Sequence, residues 1–169
     1  IQASMEYGLN RLRDAIVSQI NMMLIQLKAQ TGRTEPIQML AVAGNTVMCH
    51  LFCGLSPESI GVAPFTPLSL FGEVYEAEKL GISNCKKVYV IPSVAGYVGG
   101  DIVSDLAAVQ MHSSELAQFD EKETLLLDIG TNGEMVLGKS GKFVCCATAA
   151  GPAFEGAEIA MGMPAASGA

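Results

Sequence analysis

The most restrictive feature of this sequence is a local grammar used twice: an apolar run, a small polar turn, then residues at helical spacing. In "IQMLAVAGNTVMCHLFCGL" the run from Ile37 to Ala43 meets Gly44-Asn45-Thr46, and Val47, Leu51 and Phe52 then recur as on a helix face up to Gly54. In "KKVYVIPSVAG" (86–96) a second strand pattern runs through "YVGGD" into the helical "IVSDLAAVQMH" (102–112). A strand that enters a helix through such a turn is the unit of α/β folds, so the fold class expected is α/β. Asn45 or Thr46 is the expected N-cap of the first helix. The free N–H groups at that helix start also suit an anion, although a plain capped helix explains the same residues.

Around these units the spacing predicts an amphipathic helix from Met5 to about Gln30, with Leu9, Leu12, Ile16, Ile20, Met23, Leu24 and Leu27 on one stripe and an end at Thr31-Gly32. Its methionines are expected as core filler. Residues 55–84 are rich in proline and glycine and read as an irregular connection that wraps the core, with one short helix near Glu73–Leu80. Three strand patterns at hairpin spacing, ending in "KFVCCATA" (142–149), predict an antiparallel meander. A turn at Gly151-Pro152 then opens a last helix with Glu155 and Glu158 in its early turns.

At 169 residues the chain is long enough for one domain or parts of two. Half of it is hydrophobic and 16% is charged, the balance of a folded core. A net charge of −7 argues against a nucleic-acid or anionic-membrane partner, which would repel it. It leaves a nucleotide possible, because backbone amides and a divalent cation can neutralise phosphates locally. No apolar run is long enough to span a bilayer and no signal pattern opens the chain. Cys49, Cys53, Cys85, Cys145 and Cys146 show no zinc or iron–sulfur spacing, so reduced thiols in a cytoplasmic protein are expected; the i, i+4 pair Cys49/Cys53 is a weak metal candidate. Without an initiator methionine, the chain reads as a piece of something longer.

The stretch "LLLDIGTNGEMVLG" (125–138) admits two readings. Asn132-Gly133 is a strong two-residue hairpin signal and explains a turn with no ligand. Equally, three leucines drive Asp128 to a strand tip, where a carboxylate can hold hydrated Mg²⁺, and Gly130, Thr131, Asn132 and Gly133 offer amides and a hydroxyl to phosphate oxygens. Asp101, at the head of the helix after Gly99-Gly100, is a second carboxylate at a turn, favoured there by the helix dipole.

The order of these pieces resembles the actin-like, ribonuclease H-like ATPase fold shared by sugar and acetate kinases, heat-shock chaperone ATPases and actin. More narrowly, "AVAGNTVMCHLFCGLSPESIGVAPFTP", "IPSVAGYVGGDIVSDLAA", "LLLDIGTNGEMVLG" and "CCATAAGPAFEGAEIAMGM" together resemble the reductive activators of corrinoid proteins. The resemblance implies an incomplete ATPase domain, a mixed sheet flanked by helices. Residues 1–119 are then part of the first lobe with its connecting helix, and residues 120–169 the start of the second. It implies ATP and Mg²⁺ as cofactors, a [2Fe–2S] cluster on an N-terminal domain outside this sequence, and a corrinoid protein of a methyltransferase system as partner, with homodimerisation open. The activity implied is ATP-dependent return of Co(II) to Co(I). Rival readings are a small-molecule kinase of the same superfamily and a non-catalytic nucleotide-responsive module.

By position, the resemblance puts Asp128, Gly130, Thr131, Asn132 and Gly133 on the second phosphate loop, with Asp128 orienting Mg²⁺ through its water shell. Asp101 becomes the candidate water-positioner. Gly151, Glu155 and Gly156 align with the stretch after the third strand of the lobe, and Asn45 and Thr46 line the cleft on the first lobe. His50 and His112 receive no role beyond helix-face positions.

Overall fold

The computed structural model describes residues 8–112, 123–130 and 132–149, with only the backbone of 110–112. The chain divides into two compact units between Asp105 and Leu106. In the first, helix α1 (Leu9–Thr31) ends on Gly32, whose left-handed backbone (φ 63°) lets its N–H and that of Arg33 close the last turn on Ala29 and Lys28. Strand β1 (Ile37–Val42) feeds helix α2 (Thr46–Cys53), and β2 (Glu73–Glu76) and β3 (Cys85–Val90) precede helix α3 (Gly100–His112).

These strands form a sheet in the order β1-β3-β2. β1 and β3 are parallel, with Leu40 opposite Val88 and Val42 opposite Val90. β2 runs antiparallel on the other side of β3, so the sheet is mixed. The parallel pairing follows from the two strand-turn-helix units, because each strand must return to the same end of the sheet before its helix starts.

One sheet face carries the core: Val88 and Val90 pack with Leu24 of α1, Cys49 and Phe52 of α2, and Ala77, Leu80 and Ile82. Ile16, Val17 and Ile20 of α1 pack against this cluster. The apolar stripe of α1 is narrower than its sequence pattern. Met22, Met23 and Leu27 are all more than half exposed, so Met22 and Met23 are not core filler, and Met5 lies outside the described residues.

Residues 55–84 depart from expectation. The short helix near Glu73–Leu80 is a four-residue strand followed by a 3₁₀ turn (Ala77–Leu80), and another 3₁₀ turn spans Glu58–Ile60. The connection builds the core instead of only wrapping it, since Ile60, Ala77, Leu80 and Ile82 are buried. Four consecutive residues, of which only Tyr75 is partly buried, carry too little pattern to separate an edge strand from a helical turn.

The second unit holds β4 (Thr124–Ile129), β5 (Asn132–Lys139) and β6 (Lys142–Ala149), the antiparallel meander its spacing predicts. Val136 of β5 is buried, whereas Leu125, Leu127, Ile129, Leu137 and Val144 are exposed on the opposite face. The helix expected after residue 150 lies outside the described residues.

Candidate functional site

Two turns leave the C-terminal ends of the parallel strands β1 and β3, and they interlock. The N–H of Gly100 donates to the carbonyl of Gly44 at 2.9 Å, and the N–H of Ile91 donates to that of Val42 at the strand ends. A side chain at Gly99 has no space: its Cβ would lie 2.5 Å from the Asn45 Cα and 2.8 Å from both the Gly44 oxygen and Asp101 Oδ1. At Gly100 a Cβ would meet the Ile91 carbonyl oxygen at 2.8 Å. Close approach, not positive φ, therefore demands both glycines. The consequence is that the N-termini of α2 and α3 stand side by side, with the Asp101 carboxylate beside Asn45.

Asn45 is the N-cap of α2: its side-chain oxygen accepts from the Met48 N–H at 2.9 Å. Thr46 is fully buried, and its hydroxyl donates to the Ala95 carbonyl at 2.6 Å, so it braces the β3–α3 loop and has only backbone to offer a ligand. Asp101 is partly buried, and its Oδ1 accepts from the Ile102 N–H at 2.9 Å. Among the described residues no group donates to its other oxygen, which can accept from a water.

Sequence reasoning missed His50. It is wholly buried in α2, with Nδ1 2.7 Å from the Thr46 carbonyl and Nε2 accepting from the N–H groups of Leu68 (3.2 Å) and Ser69 (3.4 Å). Since Nε2 accepts twice, the proton sits on Nδ1 and donates to Thr46. Phe71 meets the ring edge-on, centroids 5.0 Å apart. Burial lowers the His50 pKa below 6.5, partly opposed by the hydrogen bond to Thr46. The neutral ring thus ties the start of α2 to the 68–71 segment. Only its i+4 distance from Thr46 is legible in sequence; the amides it accepts from are eighteen residues on.

The cysteines are free, and among the described residues no three His, Cys, Asp or Glu side chains are placed to share a metal. Burial, reinforced by the nearby Asp101 charge, pushes Cys49 up to about 11. Burial and the Cys49 neighbour push Cys53 up to about 12, against a lowering by Arg13. Thiols held this far toward the neutral form are poor ligands and nucleophiles.

In the second unit Asp128 is partly buried one residue before the end of β4 and lies opposite Glu134 of β5. Directly paired residues share a sheet face, so two carboxylates sit side by side, Glu134 buried. Like charges directly opposite each other on neighbouring strands are unfavourable unless something nearby offsets them. Glu134 is the second residue that the sequence reading passed over, and strand register is the signal that finds it.

The turn is not the two-residue Asn-Gly type. Gly133 already pairs with Ile129, and the Gly130 N–H donates to the Asn132 carbonyl at 2.9 Å. Asn132 and Gly133 therefore stand on the β5 side of the turn. Gly130 has ordinary φ, and among the described residues a Cβ there would meet the Asn132 oxygen at 3.8 Å and nothing closer. Nothing in the hairpin itself requires glycine at 130, which leaves space outside it for a ligand. Thr131, Gly151, Glu155 and Gly156 lie outside the described residues. An open cleft of about 990 Å³ between the end of α1 and the start of β1 involves none of these residues.

Comparison with known proteins matches two segments of the chain. Residues 1–114 match the RACo middle region, and residues 122–169 match the C-terminal domain of RACo, the ASKHA domain. The chain belongs to the RACo family. It is 33% identical over 168 residues to the corrinoid activation enzyme RamQ of Eubacterium limosum, covering 96% of this chain and 26% of that protein. It is 29% identical over 174 residues to the [Co(II) methylated amine-specific corrinoid protein] reductase of Methanosarcina barkeri, covering 92% and 29%. A solved reductive activator for corrinoid, iron–sulfur protein superposes with a TM-score of 0.75 at 43% identity, covering 92% of this chain and 24% of that one. The chain thus spans about a quarter of each relative it matches. Its mixed α/β fold, two sheets with flanking helices, is that of this family.

Proposed function

We propose that the full-length protein is an ATP-dependent reductive activator that returns an oxidised corrinoid protein from Co(II) to Co(I) by one electron. The observation that supports this reading is the match to both RACo segments, with a D-x-G hairpin at the tip of β4 in the one named for the ASKHA domain. In this reading the electron enters from a [2Fe–2S] cluster on an N-terminal domain outside this sequence.

In this reading residues 1–119 belong to the first ATPase lobe and 120–169 open the second. The Gly130, Thr131, Asn132 and Gly133 segment is the one that meets the phosphate oxygens; the Gly130 N–H is taken by the Asn132 carbonyl, so Gly130 contributes the close approach its bare Cα allows. Asp128, with Glu134 beside it, suits a hydrated Mg²⁺, which when bound supplies charge neutralisation at the phosphates. Asp101, held by Ile102 N–H and pressed against Gly99, accepts a hydrogen bond from the attacking water. Asn45 and Thr46 contribute the adjoining helix start, and Gly151, Glu155 and Gly156 the segment after β6. The free thiols suit a reducing cytoplasm.

The test is ATP turnover by the full-length protein carrying Asp101→Ala or Asp128→Ala. Each variant is expected to lose on the order of tenfold or more in kcat if its carboxylate positions water or metal in the transition state. Unchanged turnover in both would refute the site.

A further inference from the structure

The first unit carries an exposed apolar patch that neither its core nor the proposed site explains. Two loops build it. Residues 62–70 contribute Val62, Phe65, Leu68 and Leu70, and residues 94–97 contribute Val94 and Tyr97; all are exposed, Val62 at 68% and Leu68 at 63%. The patch is rigidly framed. Phe65 and Tyr97 meet edge to face at 5.8 Å, and the Tyr97 hydroxyl donates to the Ile60 carbonyl at 2.9 Å. The Ser93 N–H donates to the Leu70 carbonyl at 2.8 Å, and His50 holds the amides of Leu68 and Ser69. Gly96 passes so close under the Phe65 carbonyl that a Cβ there would lie 2.9 Å from its oxygen.

Structure that is spent holding six apolar side chains in water is the mark of a recognition surface. Its surroundings specify the partner. Between Arg33 and Lys79, and again between Lys87 and Lys122, the sequence holds no lysine or arginine, so both loops lie in stretches whose only fixed charges are carboxylates. Glu58 stands in the 3₁₀ turn that receives the Tyr97 hydrogen bond, and Glu73 opens β2 just beyond the 62–70 loop; both are exposed.

We propose that this patch is the docking surface for the corrinoid protein, and that the corrinoid protein meets it with an apolar centre bordered by lysine and arginine. The proposal rests on the functional reading above and adds to it where the macromolecular substrate is held. The apolar centre supplies affinity and the acidic border supplies orientation and association rate.

The experiment uses the full-length protein and a purified Co(II) corrinoid protein of a methyltransferase system from the same organism. Binding is measured by titration calorimetry for the wild type, for Val62→Arg/Leu68→Arg, and for Glu58→Lys/Glu73→Lys. The first variant is expected to raise Kd at least about tenfold while ATP turnover without corrinoid protein stays at the wild-type rate. The second is expected to flatten the salt dependence of the association rate. Wild-type binding with no loss in the arginine variant overturns the docking surface alone, whereas no wild-type binding overturns the functional reading and the surface with it. Radical footprinting of the wild type stands independent of any variant's folding: labelling of Val62, Leu68 and Tyr97 falls when the corrinoid protein is added. Labelling already suppressed in the free protein, or suppressed by self-association, assigns the patch to an internal contact or a second copy and overturns the proposal.

Discussion

At the scale of single residues, glycines that look alike in sequence separate by what a methyl group would strike. Gly99→Ala drives a Cβ into backbone atoms of the Gly44–Asn45 turn and is expected to destabilise the protein by about 1–3 kcal/mol, read as a lower denaturation midpoint. Gly130→Ala meets only ordinary contact, so its midpoint should be unchanged while nucleotide affinity falls, read by titration calorimetry of the full-length protein. His50 supplies a pH dependence. Its folded pKa lies below the ordinary 6.5, so the neutral ring's contribution is complete above that value and is lost as pH falls from 6.5 toward the lower folded value. Protonated Nε2 can no longer accept, and amide protection at Leu68 and Ser69 is expected to fall over that window in hydrogen exchange. His50→Phe should remove the pH dependence along with the protection.

At the scale of elements, α2 is eight residues long and depends on its ends. Asn45→Ala removes the cap on Met48 and is expected to cost about 1 kcal/mol in denaturant unfolding. For α1 the holding residue is Leu24, buried among Val88, Val90 and Phe52, and Leu24→Ala is expected to cost about 2–5 kcal/mol. The same change at Leu27, on the exposed side of the helix, should cost little. Sequence spacing placed both leucines on one stripe, because periodicity reports which residues share a face and not how far the partner sheet extends. The two strand-turn-helix units and the meander were legible because each spans enough residues to show its period. Edge strand β2 was not, since four residues lie within the ambiguity of strand and turn. The hairpin turn was misplaced for a related reason: Asn-Gly favours a two-residue turn locally, but the pairing of Ile129 with Gly133 overrides it.

At the scale of the whole molecule, nucleotide binding should appear as stability. With Mg-ATP at about 100 times its Kd, the full-length protein gains about 2.7 kcal/mol, and its melting temperature rises accordingly. Omission of Mg²⁺ should reduce that gain in the wild type but not in Asp128→Ala, if Asp128 and Glu134 are what meets the metal's water shell. An equal dependence on Mg²⁺ in both proteins would place the metal elsewhere.

By itself the sequence determined the elements with a clear period, the acidic charge that disfavours polyanionic partners, and the motif order shared with corrinoid activators. Those properties are carried by neighbours along the chain. Tertiary structure alone decided which carboxylates and amides meet. Glu134 reaches Asp128 by strand register, His50 reaches the amides of Leu68 and Ser69 across a loop, and Gly99 is pinned by a backbone more than fifty residues earlier. The physical reason is that a hydrogen bond or a steric clash depends on distances of a few ångströms, and sequence spacing does not encode those once the chain has turned back on itself.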